Sequence, residues 1–461
     1  MSANTTSFPP WSRRTFLQRA ALGIGGLAGL ALQTPPAPAS AHFRPRARRV
    51  IWLYMDGGVS HLDSFDPKPR LTELAGKPFP LKIEATQFDN NGPVLPSPWS
   101  FAQYGQTGLS VSGLFPHLAT CADEICLLRS MTNPSPVHAV GNFWMNTGWG
   151  VAGRPSAGSW ISYALGSANQ NLPAFVVLNG GLLPVGGMEI FKSGFLPAAW
   201  SASFVEKTAP AFDNVLPGLA PQQARLLRHL HRTDSTFSAG LGHPDSIEGA
   251  IANYELAARL QTAVPDLLDL SGESAATRQA YGLEAPFAYT RDYARQCLLA
   301  RRLAERDVRF IALTMPMTRG QDRWDGHSGL KVNHGENALT VDQPIAALLK
   351  DLRQRGLLDD TLVVFATEFG RTPFTQGSDG RDHNPFGFSL WMAGAGVRPG
   401  TYGSTDEFGY RAEENPLTIH DFHATLLHLL GLDHEQLTYH HGGRDYRLTD
   451  VEGSIVKAVL A

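Results

Sequence analysis

Five short stretches carry the residue types from which a reactive centre could be built. "MDGGVSHLDSFDPKP" holds Asp56, "RWDGHSG" holds Asp325 and His327, and "ATEFGRTP" holds Glu368 and Arg371. "GRDHNPF" adds Asp382 and His383, and "LTIHDFHATLLHLL" adds His420, Asp421 and His423. A mixed set of carboxylates and imidazoles suits a hard-to-borderline divalent ion such as zinc, manganese or calcium. The candidate metal set is therefore Asp56, Asp325, His327, Glu368, Asp382, His383 and His420. Some of these would orient ligands rather than bind. An ion held there would acidify a bound water or hydroxyl and neutralise charge on non-bridging oxygens. Arg371 and Arg381 could grip an anionic ester with paired N–H groups. Single residues have plainer readings. Asp421 is an acid in the first turn of a helix, and His423 and His428 are packing or surface residues. Asp63 and Asp66 read as turn formers, and Asp382–His383 as a solvated loop pair.

What joins these stretches is their position after apolar runs. "RVIWLYM", "ICLLRSM", "AFVVLNG", "VRFIALTM", "LVVFAT" and "FSLWMAGAGV" are continuously apolar rather than alternating, as strands covered on both faces are. Helical patterns fall between them. "ALTVDQPIAALLKDLRQRGLLDD" is one, with Gly356 as its stop signal. Alternation of strands and helices predicts an α/β fold with a largely parallel central sheet and helices on both faces. In such sheets ligands bind outside the carboxyl ends of the strands. Asp56 stands at one such end, and Gly57 and Gly58 permit close backbone approach. Residues 42–461 read as one domain, with a mainly helical insertion near 210–305.

At 461 residues, with 43% hydrophobic and 18% charged, the composition is that of a globular chain. A formal charge of −3 leaves no basic footprint for nucleic acid. Residues 1–41 read as a twin-arginine signal: Arg13 and Arg14 precede the short apolar run "ALGIGGLAGLAL", and Ala39-Ser40-Ala41 is a cleavage signal. The expectation is passage through the twin-arginine export machinery, a periplasmic or otherwise exported location, and no stable membrane span after cleavage. Three cysteines are too few for a disulfide framework. Cys121 and Cys126 could pair or stay unbridged.

The stretches "MDGGVSHLDSFDPKP", "WDGHSG", "GLLDDTLVVFATEFGRTP", "GRDHNPFGFSLWMAGAGVRPG" and "GRDYRLTD" resemble a twin-arginine-exported bacterial family, domain of unknown function 1501. That family is a sulfatase-like branch of the alkaline phosphatase/sulfatase superfamily. The resemblance implies an α/β sandwich with one or two metals, acting on a small-molecule or glycan phosphate or sulfate ester. It matches Asp56 to a metal-binding aspartate at the end of the first strand, and His383 to a metal-binding histidine before a later strand. Two departures stand out. Phe369 follows Glu368 where the superfamily has a second ligand. Where sulfatases carry a nucleophilic Cys or Ser, ten residues before a Thr-Gly pair, this chain has His138 before Thr147-Gly148. His138 could attack phosphorus, bind metal or act as acid/base, and Thr132 or Ser135 could be a displaced nucleophile. The expectation is a metal-dependent hydrolase favouring phosphate over sulfate esters. The alternative is a catalytically degenerate protein that binds metal or glycan on the same fold.

Overall fold

The computed structural model describes residues 41–85, 90–169, 171–205, 266–318 and 323–461, with isolated positions between 225 and 240. The signal reading, apart from Ala41, and much of the 210–305 insertion lie outside the described residues.

All six apolar runs form strands of one eight-stranded sheet. In chain order the strands that matter here are β1 (Arg49–Tyr54), β2 (Ile125–Met131), β3 (Phe175–Leu178), β4 (Phe310–Leu313), β5 (Thr361–Ala366) and β6 (Phe388–Ala393). The sheet runs β2-β6-β5-β1-β4-β3, with the short strands Gly400–Tyr402 beyond β2 and Ser203–Val205 beyond β3. β5, β1, β4 and β3 are parallel to one another, while β6 is antiparallel to β5 and to β2. Every strand except β6 therefore points the same way. The carboxyl ends of the others share an edge with the amino end of β6.

Successive side chains of a strand face opposite ways, and β1 shows that both faces are covered. Ile51, Leu53 and Met55 join one apolar cluster. Val50, Trp52 and Tyr54 join another. Helices α1 (Ala288–Glu305) and α2 (Leu330–Gln354) close the first face through residues such as Leu298, Val341, Ile345 and Leu348. The helices Ala157–Leu165 and Ile419–Leu429 close the second with Trp160, Ile161, Phe422 and Leu426. Cys121 and Cys126 fall in different clusters and are free thiols. Among the described residues no helix is long and apolar enough to cross a membrane.

The register sets the height of the strand ends. Tyr54 lies opposite Ala366, so Asp56 and Glu368, two residues further on, leave neighbouring strands at the same level. A hairpin of β-strands Gly370–Gln376 and Gly380–Asn384 rises from this edge, with Arg371 directly opposite His383. The loop reading for Asp382 and His383 is thereby corrected: both sit in a strand and are buried.

Candidate metal centre

At the shared edge, His138, Asp325, His327 and His383 each offer a ligand atom, and these atoms all lie within 4.8 Å of one another. Three histidines converge on one carboxylate oxygen. Asp325 Oδ1 lies 3.2 Å from His138 Nε2, 2.8 Å from His327 Nε2 and 3.2 Å from His383 Nε2. The opposite nitrogen of each ring is anchored to an acceptor. His138 Nδ1–H donates to Glu368 Oε1 at 2.6 Å, His383 Nδ1–H to the Pro136 carbonyl at 2.6 Å, and His327 Nδ1–H to Gln376 Oε1. Those partners fix one tautomer, with the proton on Nδ1 and the lone pair on Nε2. Three such lone pairs facing a carboxylate oxygen repel it unless a cation or proton lies between them. His138 Nε2 is buried and has no hydrogen-bond partner despite its closeness to Asp325. Four donors of this kind fit a divalent ion.

Electrostatics agree. Burial alone would raise the Asp325 carboxyl, but the Arg371 guanidinium, whose Nη2 lies 2.5 Å away, holds it far below its usual range. Burial opposes charge on His138, yet Asp325 and Glu368 raise it to about 9. Without an ion, that ring takes a proton. His383 is lowered to about 3 by burial and stays neutral, the state a ligand needs.

Local sequence explains how the parts meet. Gly57 has φ +103°, and a Cβ there would lie 2.7 Å from Trp324 N and 2.9 Å from Asp325 N. Only glycine lets the first-strand turn reach the loop that carries Asp325. Gly57 N–H also donates to Glu368 Oε1 at 2.8 Å, steadying the carboxylate that steadies His138.

The remaining candidates divide. Glu368 stands outside the four-residue cluster and orients His138. Asp56 is 3% exposed and pairs with Arg323. Asp382 is buried beside His383 but outside the cluster; its Oδ1 accepts the His383 backbone N–H at 2.8 Å. His420 lies elsewhere. Its Nε2–H donates to the Gly148 carbonyl at 2.8 Å, and Nδ1 meets Glu452 at 3.1 Å. It is not among the four residues that converge.

Neither arginine is free to clamp a ligand. Arg371 is fully buried and donates to the carbonyls of Gly57, Gly58 and Arg381 as well as to Asp325. Arg381 grips Asp63 through Nε and Nη2 at 2.8 and 3.2 Å. Asp63 and Asp66, read as turn formers, are both completely buried, and Asp66 meets Lys68, Arg129 and Thr405. Asp421 does close a capping box with Thr418. Phe369 backs two ligands, its ring centroid 4.9 Å from that of His138 and 4.6 Å from that of His383.

Sequence reasoning passed over Gln376 and Arg323. Arg323 had a signal, since it opens the same "RWDGHSG" stretch that supplies Asp325 and His327.

A family model described as protein of unknown function (DUF1501) matches residues 47–460. No protein of the curated set matches. Similar solved structures include a protein in the alkaline phosphatase superfamily from Vibrio parahaemolyticus, at 11% identity and TM-score 0.37, covering 92% of this chain and 77% of that one. The lipoteichoic acid synthase LtaP from Listeria monocytogenes is similar at 11% identity and TM-score 0.35, covering 89% and 78%. A mutant alkaline phosphatase from TAB5 with Mg bound is similar at 11% identity and TM-score 0.35, covering 78% and 95%.

Proposed function

The chain belongs to the family described as protein of unknown function (DUF1501), and from its site we propose that it is an exported, metal-dependent hydrolase of anionic esters, phosphate esters before sulfate esters. The observation that carries this is the convergence of three Nε2 atoms on Asp325 Oδ1, each ring anchored from behind. Three imidazoles and one carboxylate favour zinc or manganese over calcium, which prefers an all-oxygen shell.

His138, Asp325, His327 and His383 would hold the ion, whose chemistry there is to polarise a non-bridging ester oxygen and acidify a water. Glu368, Pro136 and Gln376 keep the rings in register. Arg371 keeps Asp325 ionised. Thr132 Oγ1 donates to the Leu417 carbonyl at 3.0 Å, and Ser135 Oγ accepts the Val137 N–H at 3.1 Å. Neither hydroxyl is poised as a nucleophile, so water is the attacking group in this reading. His138 occupies the place of the sulfatase nucleophile and binds instead, which weighs against sulfatase chemistry of the formylglycine kind. The twin-arginine reading of residues 1–41 places the reaction outside the cytoplasm, with a small-molecule or glycan ester as substrate.

The test is an ester screen with zinc- or manganese-loaded protein, beside EDTA-treated protein and Asp325→Asn. Turnover of a phosphate monoester or diester, lost in both controls, is expected. A fully loaded protein that turns over no ester would make this a binding protein. Turnover that survives both controls would place the chemistry elsewhere.

A further inference from the structure

Beside the four-ligand cluster lies a second charged group that the reading above does not use. Arg323 is 4% exposed and contacts Asp56 Oδ2 through Nη1 alone. Its Nε and Nη2 are buried with no hydrogen-bond partner, and so is Asp56 Oδ1. Nε–H and Nη2–H form one edge of the guanidinium, two parallel donors spaced to fit two oxygens of a carboxylate, phosphate or sulfate. The molecule shows that edge in use: Arg381 grips both oxygens of Asp63 with the same two atoms.

Arg323 is held firmly in place. Its carbonyl accepts from Asn333 Nδ2 and Asn337 Nδ2, both at 2.6 Å, and Trp324 N–H donates to the Asp56 carbonyl at 3.4 Å. Two residues on is Asp325 itself. A buried guanidinium with an open edge is expensive to keep unless something else meets that edge. The unmet donors are cationic and call for an anion, and a divalent ion in the cluster, with Arg323 and Arg371, balances Asp56, Asp325, Glu368 and Asp382 so that no excess negative charge would repel one.

We infer that Arg323 is an anion-holding residue: tethered by Asp56, it presents its Nε–Nη2 edge to two oxygens of a tetrahedral oxyanion bound at the His138–Asp325–His327–His383 cluster. A fixed guanidinium thus stands against Asp56 where the sequence resemblance led us to expect a metal ion. The inference rests on the reading of the cluster as a metal centre for anionic esters.

Inorganic phosphate is the probe. Zinc content and phosphate affinity are measured, by elemental analysis and calorimetry, on the zinc-loaded full chain and on Arg323→Met, Arg323→Lys and Asp56→Asn. The thermal transition of each is recorded, and Asp56→Asn/Arg323→Met serves if the single Met variant does not fold. Removing Arg323 should leave zinc content unchanged and weaken phosphate about tenfold to a hundredfold, as loss of charge-assisted hydrogen bonds would. The lysine, which lacks the fork, should recover only part. Asp56→Asn should keep both zinc and phosphate. Phosphate affinity unchanged in Arg323→Met, or zinc lost in Asp56→Asn, would overturn the inference while sparing the metal centre. A wild-type protein that takes up no zinc would instead bring down the reading beneath it.

Discussion

Two buried Asp–Arg pairs flank the same cluster, and they are built in opposite ways. Asp63–Arg381 is closed. Both carboxylate oxygens are gripped, Ser60 Oγ–H adds a donor, and Arg381 Nη1 donates to the Thr372 carbonyl at 2.9 Å. Asp56–Arg323 is open, with one contact and three buried polar atoms left over. Electrostatics separate them too. Burial raises both carboxyls, but Arg381 outweighs it at Asp63, which ends below the usual range. At Asp56 burial prevails over Arg323 and the carboxyl rises to about 6. A closed pair is what stability asks of buried charge; an open pair is what a ligand site asks.

The largest effect should come from breaking the closed pair. Arg381→Met leaves Asp63 buried and uncompensated, and should lower stability by about 3–5 kcal/mol in denaturant titrations. Removing Arg323 together with the Asp56 charge, in Asp56→Asn/Arg323→Met, should cost far less, because few of its contacts are satisfied. Equal losses would break the comparison.

The pairs should also respond to pH with opposite sign. Asp56 has a folded value of about 6 against an ordinary 3.8, so the folded state binds the extra proton. Stability of the metal-free protein should therefore be greatest below pH 4 as far as this group is concerned, and fall by about 3 kcal/mol as pH rises through 6. Asp63 is lowered, so its contribution is present above the ordinary value and is lost as pH falls through the lower folded one. Thermal transitions between pH 4 and 7 should lose the Asp56 decline in Asp56→Asn. A wild-type curve identical to that of Asp56→Asn would remove the distinction.

The smallest effect sharpens the outer limit of the site. His420→Ala removes bonds to Gly148 and Glu452, both away from the cluster. Zinc content should not change. Loss of zinc in that variant would draw the site differently.

How much of this could be read beforehand follows from the range of the interactions. The six strands were legible because burial on both faces leaves a continuous apolar run. Asp325, His327 and His383 were legible as acids and imidazoles after such runs, and His138 through its match to a nucleophile position. The role of Glu368 was not. Whether it binds metal or orients a histidine depends on where His138 stands, 230 residues away in sequence. Asp63 looked like a turn former because its partner, Arg381, is 318 residues distant. His420 was misplaced by proximity to Asp421 and His423, although its helix serves the opposite role of covering a sheet face.

The central claim is that His138, Asp325, His327 and His383 form a metal centre, and elemental analysis tests it most directly. Zinc-loaded, dialysed wild-type protein is compared with His383→Ala and Glu368→Gln. The account predicts stoichiometric zinc in the wild type, none in His383→Ala, and an affinity weakened about tenfold to a hundredfold in Glu368→Gln, where only the orientation of His138 is disturbed. A folded wild-type protein that retains no zinc, or a His383→Ala variant that retains it all, would contradict the account.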